Sequence, residues 1–194
     1  MKLSQAQAIA RQILAILAPY CTQIEVAGSV RRQKAEPKDI ELVYVSDVTT
    51  VQSDLFGAVD EFALIERGIE TLLVHETCRR DEGLRRWGPR YKRLIHCESG
   101  AAVELFAAQA DNWGYILALR TGPHEFNKLW ACHPWHGGCL PTEITLRDGH
   151  LWRDGRVLET PTEAAFFTAV GLPCWPAEER TPERLQAYLK ERSR

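Results

Sequence analysis

Two short stretches decide the fold of this chain: Gly28-Ser29-Val30-Arg31-Arg32 and, after six further residues, Asp39-Ile40-Glu41-Leu42-Val43-Tyr44-Val45. The second stretch is rich in β-branched and aromatic residues, which favours a strand. Side chains two positions apart point to the same face of a strand, so Asp39 and Glu41 present two carboxylates side by side. The sequence therefore predicts a strand with an acidic face, preceded by a small polar turn with two arginines.

A third acidic residue, Glu104, stands alone in the apolar run Ala102-Val103-Glu104-Leu105-Phe106. An uncompensated charge is costly to bury, so this carboxylate needs a metal ion or another partner. Mg²⁺ takes oxygen ligands and shares them with substrate phosphates, and two such ions can bridge a nucleoside triphosphate. We therefore expect Asp39, Glu41 and Glu104 to bind two Mg²⁺ ions, which Mn²⁺ could replace.

The first half of the chain alternates helical and extended patterns. A helix that Ser4 caps and Pro19 ends has apolar residues at helical spacing. The remaining pattern predicts strands over 23–27, 91–97 and 101–107 and a helix over 49–66. The order of elements indicates an α+β fold.

The second half begins with helical patterns over 112–119 and through Phe126, separated by Thr121-Gly122-Pro123. Asp148-Gly149 and Asp154-Gly155 are typical hairpin turns between short strands. Thr160-Pro161-Thr162-Glu163 predicts a helix start with a capping box and proline at the first helical position. A terminal helix is expected from about Pro182.

These motifs together resemble the family X DNA polymerases over most of the chain. The family pattern is Gly-Ser-x-Arg-Arg, two carboxylates on a strand, a third on a neighbouring strand, and later Thr-Gly with Phe-Asn; here the last part is Thr121-Gly122-Pro123-His124-Glu125-Phe126-Asn127. The resemblance implies a nucleotidyltransferase palm over 1–110, with a mixed β-sheet and flanking helices, followed by a small α/β thumb over 111–194.

The resemblance also implies an activity, which is two-metal addition of deoxynucleotides to a primer 3′-hydroxyl, in short gap filling or repair with low fidelity. Asp39 and Glu41 would hold both metals, and Glu104 would bind the catalytic metal and favour deprotonation of the 3′-hydroxyl. Nucleotide contacts are expected from Gly28, Ser29, Arg31, Arg32, Thr121, Gly122 and Asn127. The partners would be primer-template or gapped DNA and a deoxynucleoside triphosphate.

Several positions depart from the family pattern. Glu41 and Glu104 stand where the family has Asp, and Leu119-Arg120 replaces an aromatic pair that crowds the sugar. Ala131 stands where an arginine reads the template. These departures leave open a small nucleotidyltransferase with a non-polymer substrate of the aminoglycoside type, a template-independent terminal transferase, and a non-catalytic nucleic-acid-binding module.

A basic segment over 79–93 is the feature that suggests DNA binding, because the formal net charge of −2 provides no overall basic field. The alternative is a solvated hairpin. The residues expected to contact DNA phosphates are Arg85, Arg86, Arg90, Lys92 and Arg93.

Composition places further bounds on the chain. Six scattered cysteines without a Cys-x-x-Cys pair favour free thiols in a reducing compartment, and no apolar run approaches the length of a membrane span. We therefore expect a cytoplasmic monomer without membrane contact. Cys132, His133, His136 and Cys139 could bind zinc or merely pack in a loop. The six tryptophans are expected to pack in the core and hinge rather than to serve as stacking platforms, with Trp113 the best candidate for an exception.

Overall fold

The computed structural model describes residues 1–52, 59–82 and 87–192, and the chain divides into two compact units. One unit consists of Met1–Val26 and Glu36–Ala107, and the other of Ala27–Ala35 and Ala108–Arg194. Both units combine helices and strands, so the chain is α+β, as the sequence predicted. The division differs from the expected domains in two segments, because Ala27–Ala35 and residues 108–110 were expected with the first domain and belong to the second unit.

The elements up to residue 107 are, in chain order, α1 (Leu3–Leu17), β1 (Cys21–Val26), α2 (Gly28–Arg31), β2 (Asp39–Ser46), β3 (Val48–Gln52), β4 (Val59–Ala63), α3 (Ile65–Val74), β5 (Cys78–Arg80), β6 (Tyr91–His96) and β7 (Ala102–Ala107). The later elements are α4 (Trp113–Thr121), α5 (His124–Ala131), β8 (Ile144–Arg147), β9 (His150–Arg153), β10 (Arg156–Leu158), α6 (Glu163–Ala169) and α7 (Pro182–Arg192). No helix in the described ranges is both long and apolar enough to cross a membrane.

A mixed sheet forms the centre of the first unit, with its described strands in the order β1-β2-β7-β6-β5. The β2–β7 pair is parallel and the other pairs are antiparallel. Helix α1 contacts β1, β2 and α3, and its Ile9, Ile13 and Leu17 are buried. Burial of this apolar stripe stabilises the helix against the sheet, because each such side chain contributes about 1.5–3 kcal/mol when it leaves water.

The predicted first helix is confirmed, and Pro19 lies in the short 3₁₀ turn Ala18–Tyr20 that ends it. The predicted cap is wrong, however. The N-cap is Lys2, whose side chain makes no capping hydrogen bond, and Ser4 lies inside the first turn. The helix therefore relies on its buried face rather than on a side-chain cap.

The helix predicted over 49–66 is wrong. Strands β3 and β4 pair as an antiparallel hairpin there, and the following helix α3 begins only at Ile65. The run Val48-Thr49-Thr50-Val51 explains the difference, since β-branched side chains are restricted in a helix and favoured in a strand. Residues 53–58, which the prediction also covered, lie outside the described residues.

The second unit is built around an aromatic cluster in which Phe126, Trp130, Phe166 and Phe167 are almost fully buried. Both predicted Asp-Gly hairpin turns are confirmed between β8, β9 and β10. All four turn residues have the positive φ that a two-residue turn of this kind requires: 53° and 81° at Asp148-Gly149, and 51° and 74° at Asp154-Gly155.

The start of α6 differs from its prediction. Thr162, rather than Thr160, is the N-cap, and its hydroxyl accepts a hydrogen bond from the Ala165 amide. Pro161 therefore precedes the cap instead of occupying the first helical position. Helix α6 packs so closely on α4 that a Cβ at Gly114 would lie 1.9 Å from the Thr162 carbonyl oxygen, which explains the glycine there.

Candidate active site

Three carboxylates share one face of the central sheet. Strands β2 and β7 pair in parallel, with Glu41 in register with Glu104 and Asp39 with Ala102. Side chains of residues in register on paired parallel strands project to the same side of the sheet, and so do side chains two positions apart on one strand. Asp39, Glu41 and Glu104 therefore lie on one face of the sheet, which we call the carboxylate face. The intervening Ile40 and Leu42 point to the opposite side and are fully buried. Strand pairing alone therefore brings together residues more than sixty positions apart.

The side chain of Glu104 is held by two neighbours on β6. Tyr91 donates a hydrogen bond from its hydroxyl to Glu104 Oε1 at 3.0 Å, and Arg93 Nη1 lies 3.3 Å from the same oxygen. Burial first, and then the charge of Glu104, raises the pKa of the Tyr91 hydroxyl, which keeps it protonated as a donor. Arg93 also pairs with Asp81 at 3.1 Å, which fixes its guanidinium.

The donor chemistry of the carboxylate face fits a hard divalent cation, because every side chain in the set offers carboxylate oxygens. Within the described residues, no group of three or more His, Cys, Asp or Glu side chains stands in an arrangement that could hold a metal ion. Glu104 is bonded to Tyr91 and Arg93 in this arrangement. Asp39 and Glu41 alone suit an ion that completes its shell with water and phosphate.

The Gly28-Ser29 step opens α2 in the second unit. Gly28 has a φ of 60°, in the left-handed region that favours glycine. Ser29 is only 9% exposed, and its hydroxyl finds no hydrogen-bond partner within the described residues. Most buried polar atoms in proteins are paired, so an unpaired buried hydroxyl indicates a position that a ligand could complete.

The two arginines of the motif bond to Thr121, about ninety positions away along the chain. Arg31 Nη1 donates to the Thr121 hydroxyl at 2.8 Å, and Arg32 Nη1 donates to the Thr121 carbonyl. Thr121 itself is fully buried. The two motifs that carried the resemblance are therefore joined to each other inside the second unit.

Arg31 is further fixed by Glu163, a residue that sequence reasoning assigned only to a capping box. The Arg31 guanidinium donates two hydrogen bonds to the Glu163 carboxylate, at 2.9 and 2.7 Å. Arg180 donates a further hydrogen bond to the same carboxylate at 2.5 Å. Burial alone would raise the pKa of Glu163, but the hydrogen bonds from Arg180 and Arg31 outweigh it and hold that pKa below its ordinary value. Arg31 therefore has a structural role in this arrangement, which we call the Glu163 junction.

Asn127 makes its hydrogen bonds within its own neighbourhood. Its side-chain amide donates to the carbonyls of Leu119 at 2.6 Å and Gly122 at 3.3 Å and accepts from the Trp130 indole at 3.0 Å. A Cβ at Gly122 would lie 2.2 Å from Asn127 Oδ1, so the glycine is required by this close approach. The end of α4 is therefore held in place by Thr121, Gly122 and Asn127, the residues that we expected to contact the nucleotide.

The expected DNA contacts are placed in different environments. Arg90 is exposed, whereas Lys92 is only 4% exposed and bonds to Glu66 at 2.8 Å and to the Gly88 carbonyl at 2.9 Å. Lys92 is therefore a buried structural lysine, and Arg93 bonds to Glu104 and Asp81 as described above. Arg85 and Arg86 lie outside the described residues. The exposed cations described in this segment include Arg79 and Arg80 as well.

The cysteine and histidine loop over 132–139 does not assemble a metal-holding group of three or more ligands in the described part of the chain. Burial raises the pKa of the Cys139 thiol to about 11, and His133 stacks on Trp135. Trp113, the candidate exception among the tryptophans, is buried at 6% exposure, so it packs in the core as expected for the others and is not a stacking platform.

Comparison with known proteins adds no family to this description. No protein-family model matches the chain, and no curated protein is similar to it in sequence. Strand register and hydrogen bonding therefore carry the functional argument.

Proposed function

We propose that the chain is a metal-dependent nucleotidyltransferase of the family X DNA polymerase type, which adds a deoxynucleotide to a primer 3′-hydroxyl. The observation that carries this proposal is the register of Glu41 with Glu104 across two parallel strands, with Asp39 on the same face. Carboxylate oxygens aligned on one face are the ligands that a hard divalent cation prefers, which supports a cation-dependent reaction.

Bound Mg²⁺ would supply charge neutralisation for the triphosphate and lower the barrier to loss of the 3′-hydroxyl proton. Asp39 and Glu41 would hold it, and Tyr91 and Arg93 orient Glu104, whose carboxylate favours departure of that proton. The 3′-oxygen then bonds to the α-phosphorus while the bond to the pyrophosphate oxygen breaks, and pyrophosphate leaves.

Ser29 and Arg32 remain the candidate triphosphate contacts that the resemblance implies. The buried Ser29 hydroxyl is available as a donor, and Arg32 carries a charge of the required sign. Arg31 is assigned to the Glu163 junction instead, because three of its hydrogen bonds go to Glu163 and Thr121. Positioning and charge neutralisation, rather than a covalent nucleophile, would account for the rate.

A second candidate is nucleotidyl transfer to a small, non-polymer acceptor. Three residues that were expected to bind DNA or nucleotide support this candidate, because each already bonds to side chains or backbone within its own unit: Lys92, Arg93 and Asn127. Fewer polar groups are then available to bind a DNA strand. Both candidates use the same carboxylates, so they differ only in the acceptor.

The test is incorporation of labelled deoxynucleotide into gapped DNA, primer-template DNA and a single strand, with and without Mg²⁺. We expect metal-dependent extension of DNA that Glu41→Gln reduces at least about a hundredfold. The matched change Glu98→Gln, at an exposed turn residue, should leave the rate within about twofold. Equal rates in the two variants would reject the carboxylate face as the active site. Transfer to aminoglycosides without extension of DNA would favour the second candidate.

A further inference from the structure

The indole of Trp135 is the most prominent apolar group on the described surface of the second unit. It is 63% exposed, and in that part of the chain the other large hydrophobic side chain left in water is Val157, at 37%. Trp135 lies in the 3₁₀ turn Pro134–His136 that follows α5. A single exposed ring is ordinary by itself, so its surroundings decide what it can bind.

The loop that carries Trp135 is closed by backbone hydrogen bonds. The Cys139 amide donates to the Leu129 carbonyl at 2.8 Å, and the Leu140 amide donates to the Cys132 carbonyl at 2.9 Å. A Cβ at Gly138 would lie 2.0 Å from the Cys132 oxygen, so the backbone segments are in close contact. The indole is thus presented on an ordered loop, which lowers the entropy lost when a ligand binds.

Histidine rings flank the indole. His133 stacks on Trp135 with ring centroids 4.4 Å apart and an interplanar angle of 24°, and His136 meets it edge-on at 6.2 Å. The His133 ring is in turn oriented by the Leu140 carbonyl, 3.3 Å from its Nδ1. These contacts fix the plane of the indole, so a further flat ring can stack on it without rearrangement.

The surroundings favour a nucleobase over a protein partner. A stable protein interface buries about 800 Å² on each side, which an isolated indole cannot supply. A base needs only one aromatic face and a cation near its phosphate. Lys128 is exposed and directly precedes Leu129, which anchors the loop.

We propose that Trp135, backed by His133, is a stacking platform for an unpaired base of single-stranded nucleic acid. The inference deepens the proposed function on which it rests, because it names an unpaired strand as part of the nucleic-acid partner. Stacking on an aromatic face accepts any base, so the platform would add affinity without sequence preference.

Binding of a fluorescein-labelled thymidine oligonucleotide to the full chain, followed by anisotropy, tests this proposal. We expect Trp135→Leu, which keeps an apolar side chain but removes the ring, to weaken binding about tenfold, and Trp135→Phe to restore most of that loss. Val157→Thr, at the other exposed apolar site, should change affinity less than twofold. An abasic strand of equal length and charge should not distinguish Trp135→Leu from the parent protein.

Unchanged affinity in Trp135→Leu, or an equal loss with the abasic strand, would overturn the platform. Concentration-dependent self-association that Trp135→Leu abolishes, measured by sedimentation, would assign the ring to a contact between copies and overturn it as well. The outcomes separate from those of the proposed function, because strand binding needs no nucleotide transfer. Binding through Trp135 without extension would reject only the enzyme, and extension without a Trp135 effect would reject only the platform.

Discussion

The carboxylate face and the Glu163 junction differ in the ratio of acidic to basic side chains that they bring together. On the carboxylate face three acidic side chains share one surface, and Arg93 is placed on Glu104. In the junction a single carboxylate is shared by two guanidinium groups, from Arg31 and Arg180. Adjacent like charges lower the stability of the fold, whereas a fully paired buried carboxylate is required for it. The difference is one of charge balance: several carboxylates share one face of the sheet, whereas in the junction two cations share one carboxylate.

The largest expected effect is on the carboxylate face. Asp39→Asn should lower nucleotide incorporation by about a thousandfold, because loss of a metal-binding charge removes several kcal/mol of transition-state stabilisation. The free energy of unfolding, measured in urea, should stay unchanged or rise slightly, because one of three like charges is gone. Near-normal incorporation, or a large loss of stability, would break the contrast between the two regions.

The junction should show the reverse. Glu163→Gln leaves Arg180, which is 2% exposed, without its charged partner, so we expect the free energy of unfolding to fall by about 3 kcal/mol. Chemical denaturation measures this loss, and Glu159→Gln, at an exposed position four residues earlier, is the matched control. If both variants unfold alike, the junction has no special role in stability.

The pH dependence of stability should separate the junction from ordinary surface acids. The pKa of Glu163 is lowered in the folded chain, so its contribution is present above the ordinary glutamate value of about 4.3 and is lost as pH falls through the folded value. The difference in unfolding free energy between the parent and Glu163→Gln should therefore shrink as pH is lowered from about 6 to about 3. A difference that grows on acidification would contradict the assigned direction.

The smallest effect concerns the basic segment. Arg79→Ala combined with Arg90→Ala removes two exposed cations and should reduce the slope of log affinity for DNA against log salt by about one to two units. Substituting the buried Lys92 by Met should instead change stability and leave that slope unaltered, because its ammonium is bonded to Glu66. If Lys92→Met flattens the slope as much as the double variant does, the division between paired and exposed cations is incorrect.

Local pattern was sufficient for most elements of this fold. Apolar spacing predicted α1, a β-rich run predicted β2, the turn Glu98-Ser99-Gly100 marked β6 and β7 on either side of it, and the two Asp-Gly steps predicted the hairpins of the second unit. It failed over 49–66, where short strands and helices share similar apolar spacing. It also placed a capping residue wrongly at two helix starts. At α1 the N-cap is Lys2, which makes no side-chain capping bond, and at α6 the two nearby threonines could both serve, so local sequence does not choose between them.

By itself, the sequence determined that Asp39 and Glu41 share a face, since a strand repeats every two residues. It also determined the tight turns, since few residues accept a positive φ. Only the tertiary structure decided that Glu104 stands in register with Glu41, that Arg31 binds Glu163, and that Lys92 is buried. Strand order and the meeting of distant side chains depend on the packing of the whole unit, which no local pattern specifies.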